Sequence, residues 1–313
     1  MQLASIAACF VSLLALSLRP AKDISWLITT LWLPPAKRFQ PMRLFKITAG
    51  SFLICLLTAC STGPTGRSQF LIVSPESAIQ QSRGAYRQAV ETIREEEKLS
   101  KDRALEARIR RIAGRVVTAA VGDFPRSAGW EWSVVVVDDD ETVNAWCMAG
   151  GRMAVYTGLF EQLKLTDAEF AQIMGHEISH ALANHTAERM SRAMAIQLGL
   201  IAVSAATDQS QSASQGAELL AQVALELPNS RTAEREADRL GMRLATQAGY
   251  DPEAAVTLWQ KMASLGDDRP PAFLSTHPAP NDRQAQLNAM IPAMRALNPT
   301  GSKLPATNIR IAN

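Results

Sequence analysis

The sequence is constrained most by one strongly marked helix that begins after Thr166. Thr166 and Glu169 occupy the positions of a capping box, in which each side chain accepts a hydrogen bond from the backbone N–H of the other residue. Leu165 and Phe170 stand at the two positions that pack together in a hydrophobic staple. These signals predict where the helix begins, so the side chains that share each of its faces can be assigned from their spacing.

The same helix carries the sequence His-Glu-Ile-Ser-His at residues 176–180. At about 100° per residue, His176 and His180 lie roughly 40° apart on one face, close enough to share one tetrahedral zinc ion. Glu177 lies on the flank of that face, where its carboxylate can take a proton from water at the metal. With only 4 histidines in 313 residues, chance is a poor explanation for this spacing. The helix therefore predicts a catalytic zinc site.

Two histidines leave a zinc site incomplete, and His185 is the next candidate along the chain. It lies nine residues beyond His176, so an unbroken helix would point it away from the metal. We therefore expect His185 to have a structural role. The longer three-histidine motif of metzincins requires glycine at position 183 and histidine at position 186, where this chain has Ala183 and Thr186.

A carboxylate on a second helix can complete the site. Ser230 predicts the start of that helix, and Glu234 and Asp238 lie one turn apart on one of its faces. One carboxylate can bind zinc while the other holds the second nitrogen of a ligating histidine. Gly241 extends the same face, and its missing side chain would let the two helices approach closely. Glu236 points elsewhere.

The remaining chain predicts an α+β fold that is mostly helical, with a small mixed or antiparallel β-sheet. Residues 75–120 have the periodicity of two solvated helices, residues 130–137 that of a buried strand, and residues 152–156 that of a second strand. Two apolar runs, at 195–206 and 217–227, flank a segment rich in Gln and Ser. We expect them to form a helical hairpin in the core rather than a mobile lid.

The N-terminal region predicts export and lipid attachment. Residues 42–59 contain basic residues, a short apolar run and small residues directly before Cys60, which is the order of a bacterial lipoprotein signal. Residues 1–41 do not fit a second signal, so we expect translation to start at Met42, with a genuine membrane anchor as the alternative. Residues 60–74 then carry the lipidated cysteine and a flexible tether.

Composition excludes several classes of protein. Hydrophobic residues make up 47% and charged residues 20%, which is close to the averages of soluble globular proteins. The net charge of +2 comes from the basic N-terminal region, so the chain from Cys60 onward is weakly acidic and lacks a basic stripe for nucleic acid. Three of the 4 cysteines lie in or beside N-terminal apolar stretches, which excludes a disulfide framework. The fourth, Cys147, we expect to be a buried apolar thiol.

Together these motifs resemble those of a known family. The chain is similar to the HtpX/BepA/LoiP-like zinc metallopeptidases in residues 176–180, Ser230-Arg231 with Glu234, Ala237-Asp238, Asn144-Ala145 before Gly150-Gly151, and residues 275–278 with Arg283. It is most similar to the short LoiP-like periplasmic lipoproteins and lacks the tetratricopeptide domain of the BepA-like ones. One departure is Ala149, where relatives often have proline before the paired glycines.

The resemblance implies a compact, minigluzincin-like domain over residues 75–297 that binds one zinc ion, followed by a polar tail at 298–313. It implies the following roles: His176, His180 and Glu234 bind the metal, Glu177 is the general base, and Asp238 and Arg283 support the ligands. The acidic cluster on the second helix, taken alone, would more often be a solvated helix face. Because the chain also carries the histidine motif, we expect the acidic cluster to contribute a metal ligand instead.

The strand at residues 152–156 has two compatible interpretations. It can be an ordinary sheet edge. The resemblance adds that Gly151, Arg152, Met153 and Ala154 pair with the backbone of an extended substrate, which gives affinity with little sequence preference.

His277 also has two interpretations. Its segment predicts a loop, where a lone histidine is usually a surface residue. The resemblance instead places His277 in the catalytic cleft, either as a donor that stabilises the transition state or as a reversible fourth zinc ligand.

The sequence therefore predicts a membrane-tethered zinc metalloendopeptidase. We expect lipid on Cys60 to anchor it on the periplasmic side of the bacterial outer membrane, because Ser61 after the cysteine favours that membrane over the inner one in lipoproteins it resembles. The expected substrates are unfolded or misassembled envelope proteins, and outer-membrane assembly machinery is a further candidate partner. The alternative is a chaperone-like assembly factor that binds strands without cutting them, against which the intact Glu177 argues. A purely structural zinc module is less favoured, since such sites usually have four cysteine or histidine ligands.

Overall fold

The computed structural model describes residues 60–206, 229–265, 272–278 and 282–312. The described chain is mostly helical and contains two small sheets, which confirms the predicted α+β class. The predictions for residues 1–59 lie outside the described residues. Of the predicted helical hairpin or lid, the first run (195–206) is helical and the second run (217–227) lies outside the described residues.

The described part of the chain contains six strands, nine α-helices and one short 3-10 helix (Pro125–Gly129). The strands are β1 (Cys60–Thr62), β2 (Ser68–Phe70), β3 (Ser133–Val137), β4 (Ala145–Met148), β5 (Arg152–Tyr156) and β6 (Arg310–Ile311). The helices are α1 (Pro75–Glu95), α2 (Arg103–Asp123), α3 (Gly158–Leu163), α4 (Asp167–Leu182), α5 (His185–Ala206), α6 (Arg231–Gln247), α7 (Ala254–Ser264), α8 (Ala272–Thr276) and α9 (Arg283–Arg295). None of these helices is both long and apolar enough to cross a membrane.

Helix α4 begins where the sequence predicts. Glu169 N donates to Thr166 Oγ1 (3.2 Å), and Thr166 N donates to Glu169 Oε2 (2.8 Å), so both halves of the capping box are present. Every residue from Glu169 to Leu182 is buried. The histidine motif therefore lies on a helix that runs through the interior of the domain.

Helices α4 and α6 pack backbone to backbone. A Cβ added to Gly241 would lie 2.5 Å from the nitrogen of His176, and one added to Gly175 would lie 2.5 Å from the carbonyl oxygen of Gly241. No side chain fits at either position, because interiors are already close-packed. The predicted close approach at Gly241 is confirmed, and α6 begins at its predicted cap, where Ala233 N donates to Ser230 Oγ (3.2 Å).

Four strands form a mixed sheet in the order β4-β5-β3-β6. Strands β3 and β5 are parallel, with Ser133 opposite Arg152, and β4 is antiparallel to β5. Strand β5 therefore has a partner on each side. The expectation that residues 152–156 form a sheet edge is wrong, because both rows of backbone hydrogen-bonding groups are already paired. The edge strand on this side is β4.

Segments on both sides of the predicted 75–297 domain take part in the fold. Strands β1 and β2 form an antiparallel hairpin whose turn includes Gly66 at φ +86°, so the region expected to be a flexible tether contains regular structure. Gln69 in this hairpin is buried. At the other end, β6 pairs with β3, and Ile309 is buried in the core. The segment 298–313, predicted as a polar tail, therefore contributes to the fold.

Candidate active site

The structure brings four side chains to one buried point. One ligand atom from each of His176, His180, Glu234 and His277 lies within 4.8 Å of all the others. His176 Nε2 lies 3.0 Å from His180 Nε2 and 3.2 Å from His277 Nδ1. Glu234 Oε1 lies 3.2 Å from His277 Nδ1 and 3.4 Å from His180 Nε2. Four ligands at zinc distances of about 2.1 Å stand about 3.4 Å apart in a tetrahedron, so the group has the dimensions of a zinc site.

The outer hydrogen bonds of the two α4 histidines leave their facing Nε2 atoms for a shared cation. His176 Nδ1 donates to Asp238 Oδ1 (2.9 Å), so His176 Nε2 is the nitrogen left to face the cluster. His180 Nδ1 is engaged by His185 Nδ1 at 2.8 Å, which leaves His180 Nε2 for the cluster. Two lone pairs only 3.0 Å apart would repel each other, so a proton or a metal ion must lie between these two nitrogens. The donor set therefore fits a metal ion.

The charges around His176 also favour a cation at this point. Burial lowers the pKa of His176, but hydrogen bonds to Asp238 and Glu234 outweigh burial and raise it to about 10. Burial lowers the pKa of His180 well below its ordinary value, so that side chain stays neutral. A bound metal ion would supply the positive charge that the two carboxylates favour, in place of a proton.

Glu234 and Asp238 are held in place by one arginine. Arg283 Nη2 donates to Glu234 Oε2 (2.7 Å), and Arg283 Nε donates to Asp238 Oδ2 (2.6 Å). The guanidinium of Arg283 also lies 3.9 Å from the centre of the Trp259 ring, and Arg283 is 3% exposed. Burial raises the pKa of Glu234, but the neighbouring histidines, His180 first, outweigh it and hold the pKa well below its usual range. The positions agree with the supporting role that the resemblance implies for Asp238 and Arg283.

His277 lies inside the cluster and not on the surface. It directly follows the short helix α8, where the sequence predicted a loop, and it is 4% exposed. Its ring stacks on Phe273 with centroids 4.5 Å apart. Its Nδ1 faces the ligand atoms, while Nε2 lies 3.3 Å from Glu177 Oε1. This geometry excludes the surface alternative, and the choice between a fourth ligand and a transition-state donor stays a prediction.

Glu177 stands beside the ligand group without belonging to it. Its side chain is 3% exposed, and burial raises the pKa of its carboxyl group. A raised pKa suits a general base, because the basicity of the carboxylate then approaches that needed near neutral pH. The location agrees with the role predicted from the angular position of Glu177 on the helix.

A cavity of about 340 Å³ opens onto the ligand group. Its lining includes Glu177, His180 and His277 together with the following residues: Ala89, Asn144, Trp146, Cys147, Met148, Tyr156, Thr186, Arg189, Asn229 and Thr276. The thiol of Cys147 is buried, and burial raises its pKa well above the ordinary value, which fits the predicted inert apolar thiol.

The residues predicted to bind substrate lie elsewhere. Gly151, Arg152, Met153 and Ala154 are all buried, and none of them lines this cavity. Met153 and Ala154 pair with β3 on one side and with β4 on the other, and the Arg152 guanidinium donates to Glu131. The backbone groups of this strand are therefore already used within the sheet, and the substrate-binding role of the four residues stays a prediction.

Sequence reasoning missed the contact between His185 and His180. The prediction placed His185 away from the metal on an unbroken helix, but α4 ends at Leu182 and Asn184 adopts a left-handed backbone conformation (φ +60°). This break turns His185 back towards His180. Asn184 was the available signal, because asparagine adopts that conformation more readily than most residues.

Together these groups can perform hydrolysis. Zinc bound there supplies Lewis acidity, which polarises a peptide carbonyl and lowers the pKa of water. Glu177 can accept the proton that the attacking water loses and can later return it to the leaving amine. Arg283 and Asp238 keep the ligands fixed, so the site needs little rearrangement during the reaction.

Comparison with known proteins agrees with this chemistry. The sequence profile of Peptidase family M48 matches residues 101–291, which is more than half of the chain. The chain belongs to peptidase family M48. This confirms the predicted zinc metallopeptidase, and the M48 assignment agrees with the buried His-His-Glu-His group.

Several relatives of this M48 peptidase are themselves named as proteases. The mitochondrial metalloendopeptidase OMA1 of Arabidopsis thaliana is 37% identical over 171 residues, which cover 53% of this chain and 33% of the relative. The OMA1 metalloendopeptidase of Bos taurus is 32% identical over 254 residues, which cover 77% of this chain and 48% of the relative. The beta-barrel assembly-enhancing protease of Escherichia coli (strain K12) is 29% identical over 171 residues, which cover 52% of this chain and 35% of the relative. The chain thus spans less than half the length of these relatives.

Proposed function

We propose that this M48 peptidase is anchored by lipid on Cys60 at the periplasmic face of the bacterial outer membrane and hydrolyses unfolded or misassembled envelope proteins. The order of residues 42–59, with Ser61 after the cysteine, supports the anchor and its location. A relative named beta-barrel assembly-enhancing protease supports an envelope substrate.

The proposed substrate class rests mainly on one observation, the free edge of β4 beside the ligand group. Strand β4 pairs with β5 on one side, and among the described residues no strand lies on its other side. Trp146, Cys147 and Met148 line the same cavity as Glu177 and His277. An extended peptide added to this edge would pass through the cavity and bring its carbonyl groups close to Glu177.

The backbone of β4 directs hydrogen-bonding groups away from β5 as well as towards it. Tyr156 N donates to Asn144 O (3.1 Å), so the groups of Asn144 face β5. Because these groups alternate in direction along an antiparallel strand, those of Trp146 also face β5, whereas those of Ala145 and Cys147 face away from it. Of these two residues, Cys147 lines the cavity. Recognition through the backbone needs an extended segment and little sequence preference. Unfolded proteins offer such segments, and folded proteins hide them.

The substrate class can be tested with one protein in two states. We expect the detergent-solubilised full chain to cleave a reduced and alkylated disulfide protein and to leave its native form intact. Glu177→Gln should bind the unfolded form without cleaving it. Equal cleavage of both forms would contradict the proposal. Binding without cleavage by the wild-type chain would favour the chaperone-like assembly factor instead.

Backbone pairing can be tested without changing the enzyme. Two peptides of the same sequence would be compared, one of them carrying a methyl group on an amide nitrogen two residues from the scissile bond. An N-methyl group removes the donor and blocks strand addition, so we expect kcat/KM to fall by roughly tenfold or more. Equal rates for both peptides would exclude pairing with β4 at that position.

A further inference from the structure

A chain of polar contacts runs from the N-terminal hairpin to the zinc ligand His180. His180 Nδ1 lies 2.8 Å from His185 Nδ1, and His185 Nε2 lies 3.0 Å from Glu236 Oε2. The same carboxylate oxygen accepts a hydrogen bond from Arg67 Nε (2.6 Å). His180, His185 and Glu236 are each buried, so water does not compete for these contacts.

The protons on this chain can be placed because it ends in a carboxylate. Glu236 is an acceptor, so His185 Nε2 carries a proton and donates it to Glu236. His185 Nδ1 then has a lone pair and accepts from His180 Nδ1. His180 is left with its lone pair on Nε2, the atom that faces the ligand group. If His185 adopted the other tautomer, its N–H would face the N–H of His180.

The N-terminal hairpin holds the outer end of this chain. Besides Glu236, the guanidinium of Arg67 contacts Glu188, with Nη1 and Nη2 at 3.0 and 2.6 Å from its two oxygens. Gln69 Nε2 donates to the carbonyl oxygen of Ala183 (2.6 Å), directly after α4 ends. The hairpin therefore fixes both the carboxylate that orients His185 and the turn from which His185 projects.

We propose that His185 is a positioning residue for the zinc ligand His180, with its own orientation set by Glu236 and Arg67. The hairpin made by residues 60–70 is thereby part of the metal centre. His176 receives the equivalent support from Asp238 directly, at 2.9 Å. The proposal rests on the zinc site and is independent of the substrate and the location proposed above.

The test measures zinc affinity by competition with a chromogenic chelator, so it requires no turnover. Loss of a partner that orients a metal-ligating histidine typically weakens metal binding by about 10- to 100-fold. We expect a weakening of that size for His185→Phe and Glu236→Leu. Glu236→Gln keeps an acceptor oxygen for His185 and should lose clearly less. Arg67→Met, which leaves His185 and Glu236 in place, should weaken binding by about 3- to 10-fold.

Glu106 provides a matched control. It is as buried as Glu236, at 6% exposed, and it is paired with Arg103 at 2.9 Å on α2 rather than with the metal centre. Glu106→Leu should lower the unfolding temperature and leave zinc affinity within about twofold. The visible spectrum of the cobalt(II)-loaded protein gives a second measure, since it changes with ligand geometry. We expect it to shift in Glu236→Leu and to stay unchanged in Glu106→Leu.

Wild-type zinc affinity in both His185→Phe and Glu236→Leu would overturn the proposal. So would a loss of affinity no larger than that of Glu106→Leu. If His185→Phe does not fold, Arg67→Met decides, because the side chain of Arg67 is 23% exposed and its replacement leaves the core intact. Unchanged zinc affinity and an unchanged cobalt spectrum in Arg67→Met would then exclude the link from the hairpin to His180.

Discussion

Gly241 lies directly against the backbone of His176, so that a Cβ on the glycine would come within 2.5 Å of the histidine nitrogen. This contact sets the distance between the helix that carries the two histidines and the helix that carries Glu234 and Asp238. A carboxylate 54 or more residues away in sequence can meet the histidines only if the two helices approach this closely. The ligand geometry therefore depends on a position that has no side chain.

Gly241→Ala should push α6 away from α4. Overpacking of this kind costs about 1–3 kcal/mol, and the same displacement separates Glu234 from the histidines. We expect a lower free energy of unfolding and weaker zinc binding, measured by urea denaturation and chelator competition.

Gly84→Ala is the matched control for that substitution. Gly84 lies inside helix α1, and a Cβ there would meet nothing within 4 Å. Alanine should therefore stabilise the protein by about 0.5–1 kcal/mol and leave zinc binding unchanged. If Gly241→Ala behaved like Gly84→Ala, close packing of the two helices would not be what sets the metal site.

Replacing the predicted base and the predicted third ligand should have separable effects. Glu177→Gln should keep zinc and lower kcat by at least about 10²-fold, because only the proton acceptor is removed. Glu234→Gln should lower both zinc content and turnover. Zinc content is measured by atomic spectroscopy and turnover with a peptide substrate. Glu161→Gln, at a side chain that is 58% exposed on α3, should change neither quantity. Full zinc occupancy in Glu234→Gln would point to another third ligand.

His277→Ala should open the fourth position of the site. His277 Nδ1 lies among the ligand atoms and its Nε2 lies 3.3 Å from Glu177, so the side chain occupies the space that water and substrate need. We expect faster basal cleavage of unfolded proteins and more self-cleavage, with zinc held by the three remaining ligands. Ser275→Ala, at an exposed position in helix α8 just before His277, should behave as wild type.

A different result for His277→Ala would assign the other role. A donor to the transition state acts only as charge develops on the carbonyl oxygen, so its loss would lower kcat by about 10²-fold or more with little change in KM. Unchanged kinetics on both a short peptide and an unfolded protein would exclude both roles.

Features set by local spacing could be predicted from the sequence, and features set by distant contacts could not. The start of α4 follows from the capping box at Thr166 and Glu169, and the shared face of His176 and His180 follows from helix periodicity. Glu234 could be proposed because its helix is also capped and its face continues to Gly241. The resemblance was needed to bring His277 into the cleft.

The position of β5 in the sheet could not be read from its own residues. Five consecutive buried or half-buried residues are compatible with an edge or a central strand, and the strand order depends on where β3 and β4 pair.

His185 was misplaced for a similar reason. The helix break at Asn184 is held by a distant side chain, since Arg126 contacts both the Leu182 carbonyl oxygen and Asn184 Oδ1. Helix periodicity alone contains no signal of that contact.

Cys60→Ser should release the protein from the membrane fraction. One acyl chain binds membranes only marginally, whereas the several chains of a bacterial lipoprotein act together, so the proposed anchor would depend on lipid at this cysteine. Cys147→Ala is the matched control, because this buried thiol should have no part in membrane attachment. Fractionation and immunoblotting measure the outcome. Persistent membrane association of Cys60→Ser would favour residues 1–41 as a genuine anchor.

The capping box of α4 should make stability depend on pH. Burial raises the pKa of Glu169, but hydrogen bonds from Lys261 Nζ (2.7 Å), from the backbone of Thr166 and from Thr257 Oγ1 (2.9 Å) outweigh burial and hold the pKa below its ordinary value. In the unfolded chain the pKa of a glutamate is about 4.3. The ionised carboxylate therefore stabilises the fold above about pH 4.3, and this contribution is lost as the pH falls through the lower folded value.

Glu169→Gln removes that contribution, so its effect should shrink in acid. At pH 7 we expect the free energy of unfolding to fall by about 1 kcal/mol, the usual cost of losing a capping interaction. Below about pH 4 the carboxyl group of Glu169 becomes protonated and therefore neutral, like the amide that replaces it in the variant. The difference in free energy of unfolding between the two proteins should then narrow. Urea denaturation at pH 7, 5 and 3.5 measures this difference. A constant difference across the three pH values would show that Glu169 acts through packing, because packing contributes equally in both protonation states.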